Sequence, residues 1–322
     1  MTRPNASLSL DLDNEWSYMK TRGLEGWTSW PSYIDVVTPH ILQLCDDLDL
    51  TISVFIVGQD AALPANGESL GILGASRHEI GNHSFHHEPW LHLKSRSEIH
   101  DELSAAHEAI TNATGKAPTG FRGPGYSLSK GTLGTLQDLG YEYDCTTFPT
   151  FTGPLARAYY FRTSNLKDSQ RAERTRLFGT ASEVFRPIKP YSWDLGDGQE
   201  LVELPVTTLP VLRVPIHISY ILYMSTMSPK IAELYFRSAL RMCRIAGVEP
   251  SILVHPLDLL GGDEVESLAF FPAMNLPGAR KRELVAGYLS RMSSQFNVLP
   301  MADHVRAVAA GGLKTRQPTL PN

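Results

Sequence analysis

Residues 6–12 (ASLSLDL) alternate small or polar residues with Leu8, Leu10 and Leu12, and this period of two predicts a buried β-strand. Residues 51–57 (TISVFIV) are apolar and rich in β-branched side chains, which predicts a second strand buried on both faces. Strands buried on both faces are typical of parallel sheets that are covered by helices. The two segments therefore favour an α/β fold.

The rest of the chain continues this alternation. Helices are predicted at 32–47, 68–76, 95–113, 129–139, 229–246 and 280–295. Strands or strand ends are predicted at 79–81, 120–121, 141–145, 251–254 and 297–299. The alternation favours a parallel sheet, open or closed into a barrel. Residues 147–228 interrupt it with proline, glycine and aromatic residues, and we expect them to form an insertion over the barrel mouth within a single domain spanning 1–322.

Composition argues against several classes of protein. Hydrophobic residues make up 42% of the chain and charged residues 20%, as in soluble globular proteins with a large core. The net charge of −5 argues against nucleic acid as a partner, and three widely separated cysteines argue against a disulfide framework. We find neither a signal-peptide pattern nor an apolar run that could span a bilayer, so we expect a cytoplasmic protein without a transmembrane segment.

Polar residues follow four of the inferred strands. Asp11 and Asp13 end the first, the segment 83–87 (HSFHH) follows the third, Arg122 follows the fourth, and His255 follows a late one. The carboxyl ends of parallel strands are where α/β barrels place their catalytic residues. The four clusters together therefore predict an active site at this edge of the sheet.

Two of these clusters have the residue types of a metal site. His83 and His87 are four residues apart, so one helical turn would aim both imidazoles at one point. Asp11 and Asp13 would project to the same side of a strand and repel each other unless a cation or a proton lay between them. Two imidazoles and one carboxylate would leave open positions on a zinc-like ion. The alternatives are that the two histidines form a packed or surface pair without a metal, and that the two aspartates are solvated acids at the end of a strand.

The ordered series Leu10-Asp11-Leu12-Asp13, His83-Ser84-x-x-His87, Arg122-x-Pro124 and Leu253-Val254-His255 resembles the polysaccharide deacetylase (NodB-homology, carbohydrate esterase family 4) superfamily. The resemblance extends from about residue 8 to residue 299, with the middle stretch unmatched. The Asp-x-Asp form resembles the branch that contains cytoplasmic deacetylases and deformylases of lipid-linked aminoarabinose. The resemblance implies a distorted (β/α)7–8 barrel and hydrolysis of an N-acyl amide on an amino sugar.

The resemblance also implies roles for single residues. Asp13, His83 and His87 would hold a divalent metal, for which we expect Zn²⁺. Asp11 would be the general base, Arg122 would pair with it, and His255 would be the general acid. The backbone N–H of Gly125 would stabilise the oxyanion. Tyr126 and Trp90 would line the substrate pocket, where sugar faces stack on aromatic rings, or else pack in the core.

The chain departs from the superfamily's pattern after the fifth strand. An aspartate followed by tryptophan usually tunes the acid histidine there, but this chain has Asp144-Cys145-Thr146-Thr147-Phe148. We therefore expect either Asp258 or Asp144 to support His255, and favour Asp258. Glu15 lies close to Asp13, and relatives with a glutamate near this place include metal-free amide-ring hydrolases, so metal-free chemistry stays open.

Residues 204–224 are apolar and contain Arg213 and His217. They could receive a lipid carrier, with these two side chains near phosphate, pack against the barrel, or form a dimer interface. Residues 157–176 are locally basic and could contact anionic headgroups.

Three functions are thus open from the sequence. The first is metal-dependent deacetylation or deformylation of an amino sugar, with a lipid or nucleotide link, peripheral membrane contact or an oligomer as options. The second is metal-free or metal-optional hydrolysis of a small cyclic amide, as in allantoinase-like proteins. The third is a catalytically silent module that binds a glycolipid.

Overall fold

A computed structural model describes residues 3–152, 184–196 and 200–320. The strands of its sheet are β1 (Asn5–Leu12), β2 (Ser53–Ile56), β3 (Glu79–Asn82), β4 (Gly120–Phe121), β5 (Tyr143–Asp144), β6 (Tyr191–Asp194), β7 (Glu200–Glu203), β8 (Ser251–Val254), β9 (Asn297–Leu299) and β10 (Thr315–Arg316). The α-helices are α1 (Glu15–Arg22), α2 (Ile34–Asp47), α3 (Gly58–Ala62), α4 (Gly67–Ala75), α5 (Arg96–Thr114), α6 (Lys130–Asp138), α7 (Ile218–Met227), α8 (Pro229–Ala246), α9 (Gly278–Gln295) and α10 (Met301–Ala310).

The sheet has the order β10-β6-β7-β5-β4-β3-β2-β1-β8, and β9 pairs with the start of β1. Neighbouring strands are parallel except β6 and β7, which form an antiparallel pair. Helices connect the parallel strands, as parallel connections require. The predicted α/β class with a parallel sheet is confirmed. In the described part of the chain, no helix is long and apolar enough to cross a bilayer.

The alternation of residues in β1 separates the two faces of the sheet. Leu8, Leu10 and Leu12 join the main apolar core with Val54 and Ile56 of β2. The opposite face of the sheet carries a smaller cluster that includes Phe55, Tyr143, Cys145, Leu204 and Met301. Because side chains alternate along a strand, Ser9 and Asp11 share a side that the leucines leave free. This side leads to the candidate site.

The segment that follows β7 connects the β5 side of the sheet to its β8 edge. The N–H of Leu204 donates to the carbonyl of Asp144 at 2.9 Å, on the β5 side. The N–H of Thr207 donates to the carbonyl of Ser251 in β8 at 3.1 Å, and its hydroxyl accepts from the Ser251 N–H at 2.6 Å. Strand pairing itself follows an open path, so the predicted barrel stays a prediction.

The described part of residues 147–228 is continuous with the sheet. It supplies β6 and β7, and β7 pairs in parallel with β5. Ile216, Ile218, Ile221 and Leu222 of the apolar segment 204–224 are buried in the main core. The basic run at 157–176 lies outside the described residues. The predicted single domain with an insertion stays a prediction.

Helices α4 and α5 pack closely, because Gly74 lies against the last turn of α5. A β-carbon at Gly74 would lie 2.0 Å from the carbonyl oxygen of Thr114, which is backbone and cannot rotate away. Gly71 in the same helix has no heavy atom within 4 Å of such a carbon.

We expect Gly74→Ala to lower the free energy of unfolding by about 1–3 kcal/mol, the usual cost of overpacking. Gly71→Ala is the matched control, and we expect it to raise the free energy by up to about 1 kcal/mol through helix propensity. Urea unfolding of both variants measures the difference. Equal effects of the two substitutions would show that the close approach is not limiting.

Candidate active site

Four loops bring the candidate residues together at the carboxyl edge of the sheet. Asp11 lies in β1 and Asp13 just beyond its end, while His83 and His87 follow β3. Arg122 follows β4 directly. His255 follows β8, which pairs with β1, so all four clusters meet around one point.

Asp13 lies between the two histidines. Its Oδ1 is 3.2 Å from Nε2 of His83 and 2.9 Å from Nε2 of His87. All three side chains are buried, and their donor atoms lie within 4.8 Å of one another. Donors bound to one zinc ion at about 2.0–2.1 Å in tetrahedral geometry are themselves roughly 3–3.5 Å apart. The spacing therefore fits three ligands of one cation.

The protonation pattern also fits a metal. Nδ1 of His83 lies 2.7 Å from the carbonyl oxygen of Arg122, and a carbonyl can only accept, so this nitrogen carries the hydrogen. Nε2 of a neutral His83 then directs a lone pair at Asp13. In addition, Asp13 Oδ1 and both ring nitrogens of His87 are buried without a hydrogen-bond partner. Lone pairs facing one another in this way need a proton or a cation between them.

The charges around the site favour positive charge at this point. Burial alone would raise the pKa of Asp13, but the charge and contacts of His87 and His83 outweigh it and hold the pKa well below its ordinary value. Burial alone would lower the pKa of His83, but Asp11 and Asp13 raise it above its ordinary value. The same field that attracts a proton attracts a divalent cation.

The loop that carries the histidines is not helical. Ser84 and His87 have φ angles of 61° and 51°, in the left-handed region that non-glycine residues rarely adopt. The expectation that one helical turn aims both imidazoles is therefore wrong, and two left-handed residues aim them instead. Backbone of this kind persists only where its surroundings hold it in place.

Glu102 of α5 provides that support, and sequence reasoning missed it. Its Oε1 accepts from the N–H groups of Phe85 and His86 at 3.1 and 2.6 Å, and its Oε2 lies 2.7 Å from Nδ1 of His86. Burial alone would raise the pKa of Glu102, but the hydrogen bonds from His86 lower it. A buried carboxylate thus fixes the two residues between Ser84 and His87. Its signal in the sequence is one acid on the buried side of a helix.

Asp11 lies beside the metal ligands, next to Arg122. Nε of Arg122 is 3.8 Å from Oδ1 of Asp11, and the arginine is fully buried. The same guanidinium donates to the sulfur of Cys145 at 3.2 Å and to Ser9 at 3.2 Å, and it lies over the ring of Phe55. Oδ1 of Asp11 is buried without a hydrogen-bond partner. Arg122 therefore places a positive charge near Oδ1 of Asp11 but does not donate a hydrogen bond to this oxygen.

His255 completes the site on the other side of Asp13. Its Nε2 is 3.8 Å from Oδ2 of Asp13, and its side chain is partly exposed. Its backbone N–H donates to Oδ2 of Asp258 at 2.9 Å. Burial raises the pKa of Asp258, although the charge of His255 counteracts this. The structure thus places Asp258 against the His255 loop.

A second histidine lies on His255. The ring of His217 stacks on it with centroids 4.9 Å apart and an interplanar angle of 18°. His217 is buried, and burial followed by the charge of His255 holds its pKa well below its ordinary value. Its Nδ1 accepts from the N–H of Ser219 at 3.2 Å, at the start of α7. His217 belongs to this site, while Arg213 donates to the carbonyl of Arg186 at 2.7 Å.

The structure places Asp144 and Glu15 in other contacts. Asp144 accepts from the hydroxyl of Thr146 at 2.5 Å. Burial and then the neighbouring carboxylate of Glu203 raise the pKa of Asp144 well above its ordinary value. The carboxylate of Glu15 accepts from Ser267. Neither residue is in the Asp13–His83–His87 cluster.

The residues predicted to contact substrate surround the mouth of the site. Gly125 is exposed with φ of 56°, and a β-carbon there would lie 2.8 Å from Pro89. Tyr126 packs against Phe148 in a tilted arrangement with centroids 4.6 Å apart. Trp90 is partly exposed, and Nζ of Lys20 lies 6.0 Å from its ring. Lys20 also donates to the carbonyl of His86 at 3.1 Å, which ties α1 to the histidine loop.

A buried polar network holds the backbone that follows Asp13. Oδ1 of Asp60 accepts from the side chains of Asn14 at 2.7 Å and Trp16 at 2.8 Å, while Oδ2 has no partner. Asn14 in turn caps α1, and the hydroxyl of Tyr33 donates to the carbonyl of Asp13 at 2.7 Å. Burial, with a contribution from Asp13, raises the pKa of Asp60 to about 7 despite hydrogen bonds that lower it.

Comparison with known proteins supports one family. Residues 27–143 match the family model described as polysaccharide deacetylase. Over 110 residues the chain is 30% identical to a peptidoglycan deacetylase of Helicobacter pylori, covering 34% of this chain and 36% of that protein. Over 111 residues it is 31% identical to the peptidoglycan-N-acetylmuramic acid deacetylase PdaA of Bacillus subtilis, covering 34% and 41%. The alignments thus span well under half of these relatives.

The fold is also that of a solved structure. A candidate polysaccharide deacetylase of Mycobacterium smegmatis superposes with a TM-score of 0.63 at 20% identity, covering 100% of both chains. The family model and the two relatives together support the polysaccharide deacetylase family, while the Asp-x-Asp branch stays a prediction. The region that the family model matches contains His83, His87 and Arg122. Asp11, Asp13 and His255 lie outside it.

We expect Glu102→Ala to weaken zinc binding by about 10–100-fold, the usual effect of removing a group that orients metal ligands. The reason is that two backbone N–H groups of the histidine loop lose their acceptor. Competition against a chromophoric chelator measures the affinity. Glu108→Ala, at an exposed position of the same helix, is the control, and equal affinities of the two variants would contradict the assigned support.

Asp60 predicts a pH dependence of stability. Because its pKa is raised to about 7, the folded protein holds this proton more tightly than the unfolded chain, so stability falls as pH rises from about 4 to about 7. In metal-free protein we expect Asp60→Asn to remove this decline, so that its stability relative to wild type increases by roughly 2–4 kcal/mol between pH 4.5 and 8. Urea unfolding at both pH values measures it, with exposed Asp101→Asn as control. A pH-independent difference would contradict the raised pKa.

Proposed function

We propose that the protein is a metal-dependent hydrolase that removes an N-acyl group from an amino sugar. The observation that carries the proposal is the buried Asp13–His83–His87 cluster with Asp11 and His255 beside it. Two neutral imidazoles and one carboxylate are the donor set of catalytic zinc sites with an open position. The match of residues 27–143 to the polysaccharide deacetylase family model agrees with this proposed reaction.

Asp13, His83 and His87 would hold the cation. When bound, a divalent ion would polarise the acyl carbonyl and make an attacking water more acidic. Asp11 would take a proton from that water, because its Oδ1 is buried, lies beside the ligands and has no competing hydrogen-bond partner. Nε of Arg122, 3.8 Å from Oδ1 of Asp11, would pair with this carboxylate and help to orient it.

Water oxygen would add to the acyl carbon, and the carbonyl oxygen would become an oxyanion. The backbone N–H of Gly125, on the loop that follows β4, is the proposed donor to this oxygen. His255 would then give a proton to the nitrogen as the C–N bond breaks, which releases a carboxylate and an amine. The ring of His255 is partly exposed toward the mouth and stacks on buried His217, so its orientation is fixed.

The substrate class follows from the mouth and the relatives. Trp90 and Tyr126 offer partly exposed aromatic rings on which sugar faces could stack. Both relatives are named as deacetylases of peptidoglycan, which favours acetyl over formyl as the acyl group. Zn²⁺, a lipid or nucleotide link and a cytoplasmic location stay predictions.

We expect Asp11→Asn to keep metal but lower turnover by about 10²–10⁴-fold, because only the base is lost. We expect His83→Ala to lose both metal and turnover. Amine release from an N-acetylglucosamine trimer and the metal content of the purified protein measure the two effects. His100→Ala, an exposed histidine on α5, is the control for the substitution.

Two outcomes would contradict the proposed mechanism. Wild-type turnover by Asp11→Asn would remove Asp11 as the base. Activity that survives complete chelation would favour metal-free hydrolysis instead, and a matching trimer with a formyl group in place of acetyl would show which acyl group is preferred.

A further inference from the structure

Large apolar side chains are exposed mainly in one part of the described chain. More than half of the strongly exposed ones lie between residues 211 and 245. They include Met227 at 72% exposure, Ile231 at 60% and Ile245 at 77%. An apolar surface of this kind on a protein with a net charge of −5 marks a contact with something other than water.

Helix α8 carries a basic stripe beside these residues. At 100° per residue, Lys230, Arg237, Arg241 and Arg244 share one line along the exposed side of the helix, and Leu234, Ile245 and Ile231 lie next to it. The opposite side, with Phe236, Leu240 and Cys243 among others, is buried in the core. Lys230 and Arg244 are 14 positions apart, which is roughly 21 Å at about 1.5 Å per residue. We call the surface formed by the basic stripe, by Ile231, Leu234 and Ile245 of α8, and by Tyr223 and Met227 of α7 the α7–α8 face.

Among the residues that the structure describes, the four cations of this face have no acidic partners. None of them forms an ion pair with another residue of the described ranges. Glu233, the one acid of α8, pairs with Arg291 of α9. The charge of the stripe is thus available to an external partner.

The α7–α8 face adjoins the mouth of the site. Helix α7 begins directly after His217, which stacks on His255. Helix α8 leads into β8, and His255 directly follows the end of β8, so α8 begins near the carboxyl edge of the sheet. Tyr223, Met227 and Ile231 therefore lie on the side where substrate would enter.

We propose that the α7–α8 face docks onto the surface of an anionic lipid bilayer. Adjacent basic and apolar stripes along one helix are the pattern that binds in the plane of such a surface. A symmetric contact with a second copy of the chain would place the two basic stripes against each other, which charge repulsion opposes. The inference does not depend on the proposed reaction.

Sedimentation of the full chain with vesicles tests the proposal. We expect binding to vesicles that contain one part phosphatidylglycerol to three parts phosphatidylcholine, weaker binding in 0.5 M salt, and little binding to phosphatidylcholine alone. The double variant Arg237→Gln/Arg241→Gln should bind about 30-fold more weakly, at roughly fivefold per arginine. Ile231→Ser/Leu234→Ser should also weaken binding, because it removes the apolar contact.

The matched control is Lys314→Gln/Arg316→Gln, which removes two exposed cations at β10 and should bind as wild type does. Equal binding to neutral and anionic vesicles, or equal loss in the two charge variants, would overturn the proposal. A concentration-dependent dimer that the Arg237→Gln/Arg241→Gln variant dissociates, without vesicle binding, would assign the face to a second copy. Turnover of the soluble trimer by this variant should equal wild type, so failure of docking and failure of the proposed reaction are distinguishable.

Discussion

The carboxylate of Asp13 lies within 3.2 Å of two imidazole nitrogens in a buried site, and the arrangement of the surrounding residues depends on this contact. Buried lone pairs that face one another are costly unless positive charge lies between them. The carbonyl of Arg122 fixes the hydrogen on the far nitrogen of His83, which leaves the near nitrogen free. The site is therefore arranged for a cation before any substrate is considered.

Groups well removed in sequence hold this arrangement in place. Glu102 accepts hydrogen bonds from two N–H groups of the loop between the histidines. Asp60 accepts a hydrogen bond from the side chain of Asn14, the residue after Asp13. Both are acids on helices behind the site, and both bind N–H groups rather than the metal ligands themselves. Glu102, whose pKa is lowered, adds negative charge beside the cluster, which favours the same cation that the proposed ligands require.

His255 connects the chemical site to the surface of the protein. On one side its ring faces Asp13, and on the other it stacks on His217 at the start of α7. The α7–α8 face begins there, so a docked surface would present its molecules near the mouth. Orientation of the proposed acid and the proposed approach of substrate would thus depend on the same short segment after residue 216.

The alternation in β1, the apolar run of β2 and the donor residues after four strands could all be read from the sequence, because period and residue type are local properties. The left-handed residues Ser84 and His87 could not, since only the contacts of Glu102 make that backbone stable. The partner of Asp144 could not either, because Glu203 arrives from a strand about sixty residues away. Sequence by itself determined which atoms can bind a metal and move a proton. Tertiary structure alone decided where those atoms point, because hydrogen bonds between distant segments set the conformation of each loop.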